Sequence, residues 1–380
     1  MKSKGLKIGL LVMGLFAANV YAQQSRTEKE LQSIMDSLQK AHGFPGMTFS
    51  ARTSKGKHIW LSTGFSELST KTPMRPDHRM LSGSNGKTLF AAVALQMASE
   101  GKFQLDDFIS TYLADESWFK ALPNAQDITM RMLLNHTSGI EEYYELGDFM
   151  QLLKANPNRS FRPEDTFKYI LNRPALFKAG TDWGYADTNF IILGYILEKI
   201  SGKKVYDIIQ QNFIKSYNLK LTEPSVKRNF KNLATGYGRQ ESPFPFEGAM
   251  VEDGKLVFNP QFEWAGGGFV SNVADLSKWM KILYHLKEIT PEIREEMYRK
   301  FPAKTGKDHA YGLGVQIRPS RFGTTYGHSG WFPGYMTDAV YFPEIDLAVS
   351  VQLNTDDLDK IKMKPYDYIL FLTEMVLKHP

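Results

Sequence analysis

Three short runs of this chain carry side chains able to do acyl-transfer chemistry. They are Ser84-Asn85-Gly86-Lys87, Tyr185-Ala186-Asp187 and His328-Ser329-Gly330. A hydroxyl is a poor nucleophile until a base removes its proton. A lysine three residues further along a helix shares the serine's face and reaches its oxygen. Partial burial would lower the pKa of Lys87 toward that task. A phenol at the mouth of a helix can pass a proton between nucleophile and leaving group if a nearby lysine lowers its pKa. On the third run, Gly330 leaves room for a ligand backbone against a strand, and His328 and Ser329 can donate to a substrate carbonyl or carboxylate. The backbone N–H groups of Ser84 and Trp331 would then form an oxyanion hole.

Taken singly these signals are weak. The S-x-x-K pattern occurs six times, at Ser37, Ser54, Ser84, Ser99, Ser117 and Ser201. Ser84 stands apart because an apolar run, Leu89 to Leu95, follows it. That places it where a loop meets a helix, beside unsatisfied N–H groups and the positive end of the dipole. The bland alternative is a capping serine followed by a solvated lysine. Tyr185 is the one tyrosine of eighteen followed two places later by Asn or Asp, and His328-Ser329-Gly330 is the sole H-x-G. Their bland alternatives are Asp187 capping a helix with Tyr185 as a packing aromatic, and a surface histidine on an edge strand. Two rival readings fail. Gly86-Lys87-Thr88 resembles the end of a phosphate-binding loop, but Leu81 stands where that loop needs glycine. Gly327 to Gly330 lacks the spacing of a hydrolase elbow, since Trp331 follows Gly330.

The N-terminus sets the compartment. Lys2, Lys4 and Lys7 precede an apolar run from Ile8 to Ala18, and Val20-Tyr21-Ala22 offers small residues for cleavage. Residues 1–22 therefore read as a signal peptide cut after Ala22, which sends the chain to the periplasm or beyond. The net charge of +5 owes much to those three lysines, so nucleic acid is not an expected partner. There are no cysteines, hence neither disulfides nor a thiolate metal site. No later segment is apolar enough to span a bilayer.

The elements that must position these residues follow from periodicity. Thr27 to His42 reads as a helix capped by Thr27 and Glu30. Met47 to Arg52 and Lys57 to Thr63 read as a hairpin. A long helix begins near Ser84 and ends at Glu100, and Tyr185 precedes another that closes at Gly202. Thr235 to Asn259 reads as a long loop with a hairpin at Asp253-Gly254. Gly312 to Ile317, Thr324 to Ser329, Met336 to Phe342 and Leu347 to Leu353 read as strands, and Pro365 to Lys378 as a final helix. Strands open and close the chain and helices fill its middle. The expected architecture is α+β: residues 23–80 with 301–380 form an antiparallel sheet covered by the terminal helices, residues 81–300 a mainly helical lobe, with a site in the cleft between.

With their flanks, the three runs resemble the serine β-lactamase and penicillin-binding-protein family, most closely its class C-type branch. The likeness extends over about residues 28 to 376 and includes Leu133-Leu134-Asn135-His136-Thr137-Ser138-Gly139 and Ala265-Gly266-Gly267-Gly268. It implies a five-stranded antiparallel sheet flanked by helices, with Ser84 acylated, Lys87 and Tyr185 as proton carriers, and His328-Ser329-Gly330 along the binding strand. It implies no metal or organic cofactor. The substrates implied are D-Ala-D-Ala-type peptides or related amides, β-lactams or small esters. Two residues depart from the pattern. Asp187 stands where asparagine is common. As a carboxylate it cannot donate to a substrate carbonyl, it would raise the pKa of Lys87, and it can attract a substrate amine. His328 stands where many β-lactamases have lysine, which weakens carboxylate binding or makes it pH-dependent. The rival from another class is a non-catalytic sensor of cell-wall fragments on the same fold.

Overall fold

The computed structural model describes residues 26–378 apart from 241–243 and 245. The expected signal peptide lies outside the described residues. The long helices are α1 (Arg26–His42), α2 (Lys87–Ser99), α3 (Asp187–Ser201), α4 (Val273–Tyr284) and α5 (Pro365–Lys378). The long strands are β1 (Gly46–Arg52), β2 (His58–Glu67), β3 (Gln316–Ser320), β4 (Gly323–Phe332), β5 (Tyr335–Phe342) and β6 (Leu347–Leu353).

One antiparallel sheet runs in the order β3-β4-β5-β6-β1-β2. Short strands at 72–73, 301–302 and 310–311 extend its edges to nine strands. The five strands of seven residues or more (β4, β5, β6, β1 and β2) form its middle. The N- and C-terminal strands are paired directly, Met47 opposite Leu353 and Ala51 opposite Val349.

Alternation along the strands sorts the two faces. Met47, Phe49 and Ala51 join Val349, Val351 and Leu353 against Leu31 and Met35 of α1 and Ile369 and Leu372 of α5. The opposite face carries Ser50 and Ser350, and α4 lies on it: Ser50 Oγ is 2.8 Å from Ser277 Oγ, and Ser350 Oγ donates to Val273 O at 2.6 Å. Central strands covered on both faces have no polar side to show, and every residue of β6 is buried. Residues 273–284 thus pack with the sheet, although their place in the chain suggested the helical lobe.

That lobe is built around α2. From Lys87 to Leu95 every residue of the helix is buried, as befits a helix apolar all round. The lobe is not purely helical. Met80–Leu81, Phe269–Ser271 and Glu223–Pro224 make a small sheet, and Phe269 packs on Phe90 of α2.

Other local expectations shift. Thr27 lies inside the first turn of α1 rather than capping it. Its hydroxyl takes Lys57 Nζ at 3.3 Å, and Glu30 pairs with Arg26 at 2.8 Å. The strand expected at Gly312 to Ile317 begins only at Gln316, because Gly314 sits at φ +76°, a turn conformation that interrupts a strand. The hairpin at Asp253-Gly254 is present, pairing Val251–Glu252 with Lys255–Leu256.

Candidate active site

A cavity of about 660 Å³ is lined by residues of both lobes. Ser84, Tyr185 and Asp187 reach it from the helical side, and His328, Ser329, Gly330 and Trp331 from β4. The three sequence runs therefore converge.

Ser84 sits in a single 3-10 turn, Gly83–Gly86, that leads directly into α2. Lys87 is fully buried at the head of that helix. A buried ammonium must find acceptors for its protons, and Lys87 Nζ finds three. It donates to Ser84 Oγ at 3.0 Å, to Asp187 Oδ1 and to the carbonyl of Gly266. That carbonyl is aimed by a strained turn: Trp264 is held at φ 36°, ψ −116°, well outside the regions comfortable for a side chain. Asp187 is the first residue of α3 rather than its cap, which is Ala186. Its charge is committed to Lys87, so the expected attraction of a substrate amine meets a carboxylate already paired.

Tyr185 departs from expectation. Its hydroxyl is buried without a hydrogen-bond partner that satisfies distance and angle. Burial first, then the charge of Asp187, push its pKa well above the ordinary value, against a smaller downward pull from the nearby Ser84 hydroxyl. The sequence reading expected Lys87 to lower it. Lys87 Nζ lies over the ring, 5.0 Å from its centroid, but its charge is balanced by Asp187. Tyr185 is thus a neutral phenol.

The β4 residues are also placed differently from their expected use. His328 is fully buried. Its Nε2 is 2.7 Å from the Tyr311 hydroxyl, and its Nδ1 is 2.5 Å from Ser329 O. A carbonyl can only accept, so Nδ1 carries the hydrogen and Tyr311 donates to Nε2. Burial, and then the Lys87 charge, lower the His328 pKa to about 3. The ring is therefore neutral and has no free nitrogen for a substrate carboxylate. Gly330 serves the protein's own packing: a Cβ there would stand 1.9 Å from Ser82 O and 3.2 Å from Asn85 N. The Ser84 turn occupies the space that a ligand backbone was expected to take. Gly83, at φ +52°, faces the Trp331 backbone in the same way, which brings the two expected oxyanion donors to adjoining positions. Asn85 Nδ2 ties the turn to the strand by donating to His328 O at 2.5 Å. The Trp331 side chain donates to Asp356 at 3.0 Å and packs on Phe244.

Several residues at the site carried no catalytic role in the sequence reading, which placed only substrate specificity in the loops around Glu141 to Tyr144 and Thr235 to Trp264. Glu142 and Glu263 are buried beside Asp187, and both carboxyls are pushed well above their usual range, by burial first and then by the Asp187 charge. Glu142 accepts the Asp187 N–H, while Glu263 Oε2 is buried without a partner. His136 stacks on Tyr185 with ring centroids 4.2 Å apart and accepts the Ala186 N–H at 3.3 Å. It lies in the Leu133 to Gly139 segment, with its backbone in the left-handed region at φ +63°. Glu142 follows the same segment. Nothing in the sequence singled out Glu263.

A cavity-lining serine hydrogen-bonded to a buried lysine, with a phenol beside them in a cleft between a sheet and a helical lobe, is the arrangement of a serine acyl-transfer site. The model of the beta-lactamase family matches residues 31–372, and the chain belongs to that family. It is a serine hydrolase of the β-lactamase and penicillin-binding-protein superfamily. Among curated relatives, penicillin-binding protein 4* of Bacillus subtilis is 24% identical over 361 residues, 90% of this chain and 76% of that one. A D-aminopeptidase of Brucella anthropi is 26% identical over 285 residues, 73% of this chain but 49% of that one. Among solved structures, a D-amino acid amidase from Ochrobactrum anthropi SV3 matches with a TM-score of 0.78 at 20% identity, covering 94% of this chain and all of that one. A D-stereospecific amidohydrolase from Streptomyces matches at 0.76 and 24% identity, covering 88% of this chain and 97% of that one. At these identities the structural likeness concerns the fold.

Proposed function

We propose that the protein is an exported hydrolase that forms an acyl-enzyme on Ser84, and that its substrates are peptides or amides of D-amino acids, with β-lactams and small esters as further acyl donors. The observation that carries this reading is the 3.0 Å contact between Lys87 Nζ and Ser84 Oγ at the floor of the cavity. The relatives' D-aminopeptidase and penicillin-binding names favour the same substrates.

The proton path follows from the hydrogen bonds. Lys87 donates to all three of its partners and can accept nothing until it yields a proton, and the Asp187 contact is where it can do so. The resulting amine takes the Ser84 proton as Oγ attacks the carbonyl carbon. The oxyanion lies by the N–H groups of Ser84 and Trp331. Tyr185, neutral and unpartnered, protonates the leaving group as its bond breaks, and Lys87 restores the tyrosine's proton. Asp187 then returns the proton it borrowed. Water attacks the ester in the second half, and its proton travels the reverse path to Ser84 Oγ.

Intact-mass spectrometry tests this. Protein exported from an expressing bacterium should begin at Gln23, gain one fluorophosphonate or penicillin adduct, and lose that capacity in Ser84→Ala. An adduct that persists in Ser84→Ala would place the nucleophile elsewhere.

A further inference from the structure

Arg318 reaches the cavity from β3, next to the binding strand. Its side chain is 4% exposed and that of its partner Asp338, on β5, 1%. The two make a bidentate pair: NH1 donates to Oδ2 at 2.9 Å and NH2 to Oδ1 at 2.8 Å. NH1 also donates to Ser329 Oγ at 3.0 Å, and Ser329 in turn donates to Asp338 Oδ2 at 2.6 Å. The Tyr366 ring covers the guanidinium, with its centroid 3.7 Å from Cζ.

A planar fork of N–H donors beside a polar strand is the group best shaped to hold a substrate carboxylate. Here the protein supplies that carboxylate itself. The register of the sheet fixes the arrangement, because Ser329 on β4 stands directly opposite Asp338 on β5. No other cation on the described wall replaces the lost one. Lys87 is committed to Asp187, His328 is neutral, and burial, then the Arg318 charge, hold His309 below its ordinary pKa. Lys364 stands exposed at the rim, where water screens it. Asp367 adds an acidic side chain to the same wall.

We propose that Asp338 sets the charge preference of the site: by filling the Arg318 fork it turns the leaving-group side against acids, so that the enzyme accepts ligands ending in a neutral amide or ester over those ending in a carboxylate. This rests on the reading of Ser84 as the acylated residue. It adds that D-amino-acid amides suit the site better than D-Ala-D-Ala peptides with free C-termini.

The test is protection of Ser84 from a fluorophosphonate by a matched pair, D-alanyl-D-alanine and its C-terminal amide, each titrated against the purified mature protein. The amide should protect at about tenfold lower concentration, a difference typical of one charged hydrogen bond. In Asp338→Asn the fork is freed, and the ratio of the two midpoints should move by about tenfold toward the acid. Equal protection by both ligands in the native protein, no protection by either at saturation, or an unmoved ratio in a folded Asp338→Asn would overturn the proposal. The native ratio decides the matter even if the variant fails to fold. Labelling that survives Ser84→Ala is a different failure, that of the nucleophile assignment.

Discussion

At the scale of single residues, the site is an exercise in keeping one buried ammonium satisfied. Lys87 is fully buried, and an unpaired charge there would cost several kcal/mol. Asp187 and the Gly266 carbonyl offset that cost and leave the third N–H for Ser84. Burial, and then the Asp187 charge, keep Tyr185 from ionising against a smaller pull from the Ser84 hydroxyl. In the proposed proton path the tyrosine's part is that of an acid, and removing the hydroxyl without changing the ring isolates that part. Tyr185→Phe should lower the acylation rate by roughly 10²–10⁴-fold while ligand affinity changes little. Stopped-flow acylation with a chromogenic cephalosporin or a p-nitrophenyl ester reads both quantities, and an unchanged rate constant would remove the tyrosine from the mechanism. Ser84, Lys87 and Tyr185 were legible as residue types at telling positions. The buried Glu142 and Glu263 were not, because a carboxylate's environment is made by residues remote in sequence.

At the scale of elements, the placement of the serine depends on a turn pressed against a strand. Helix α2, the joining of the terminal strands in one antiparallel sheet, and α5 were legible because long apolar periodicities dominate them. The close approach of the Ser84 turn to β4 was legible only as a glycine, and for a different reason than the one found. A methyl at Gly330 would meet backbone on two sides, Ser82 O at 1.9 Å and Asn85 N at 3.2 Å. Backbone cannot swing aside as a flexible side chain can, so the turn and the strand must part by about an ångström or more. Misplacement of that size costs on the order of 10²-fold in rate. Gly330→Ala should therefore keep its far-ultraviolet circular dichroism, melt at lower temperature and acylate about a hundredfold more slowly. Acylation at the native rate would mean that the apposition of turn and strand is not what positions Ser84. The shifted start of β3 teaches the converse lesson: Gly312 and Gly314 lie within an otherwise strand-like run, and a positive φ at Gly314 ended the pattern where composition alone did not.

At the scale of the whole molecule, burial of titratable groups sets the pH range in which the fold is most stable. Burial holds His58 and His78 down to about 4 and His328 to about 3, and lowers His136 well below its usual value. A histidine whose folded pKa is depressed is neutral in the fold while the unfolded chain takes up a proton below about pH 6.5. Its contribution is complete above that pH and is lost as the pH falls toward the folded value. Glu142 and Glu263 act in the opposite sense. Their raised carboxyls hold protons in the fold that the unfolded chain releases above about pH 4.5, so their contribution fades as the pH rises. Smaller shifts of both kinds, downward at His285 and His309 and upward at Asp275 and Asp356, oppose one another. Between about pH 4.5 and 6.5 the four strongly shifted histidines outnumber the two carboxyls, and the unfolded state binds more protons. The melting temperature should therefore rise from pH 4.5 to a maximum near 6.5 to 7 and decline gently beyond it. Differential scanning fluorimetry across that range at constant ionic strength reads the curve. Replacing His78, which lies away from the cavity and accepts the Arg75 N–H at 2.9 Å, by Asn should flatten the acidic limb and leave the alkaline one in place. A melting temperature that climbs steadily as the pH falls to 4.5 would show that the buried carboxyls, not the histidines, govern the acid response.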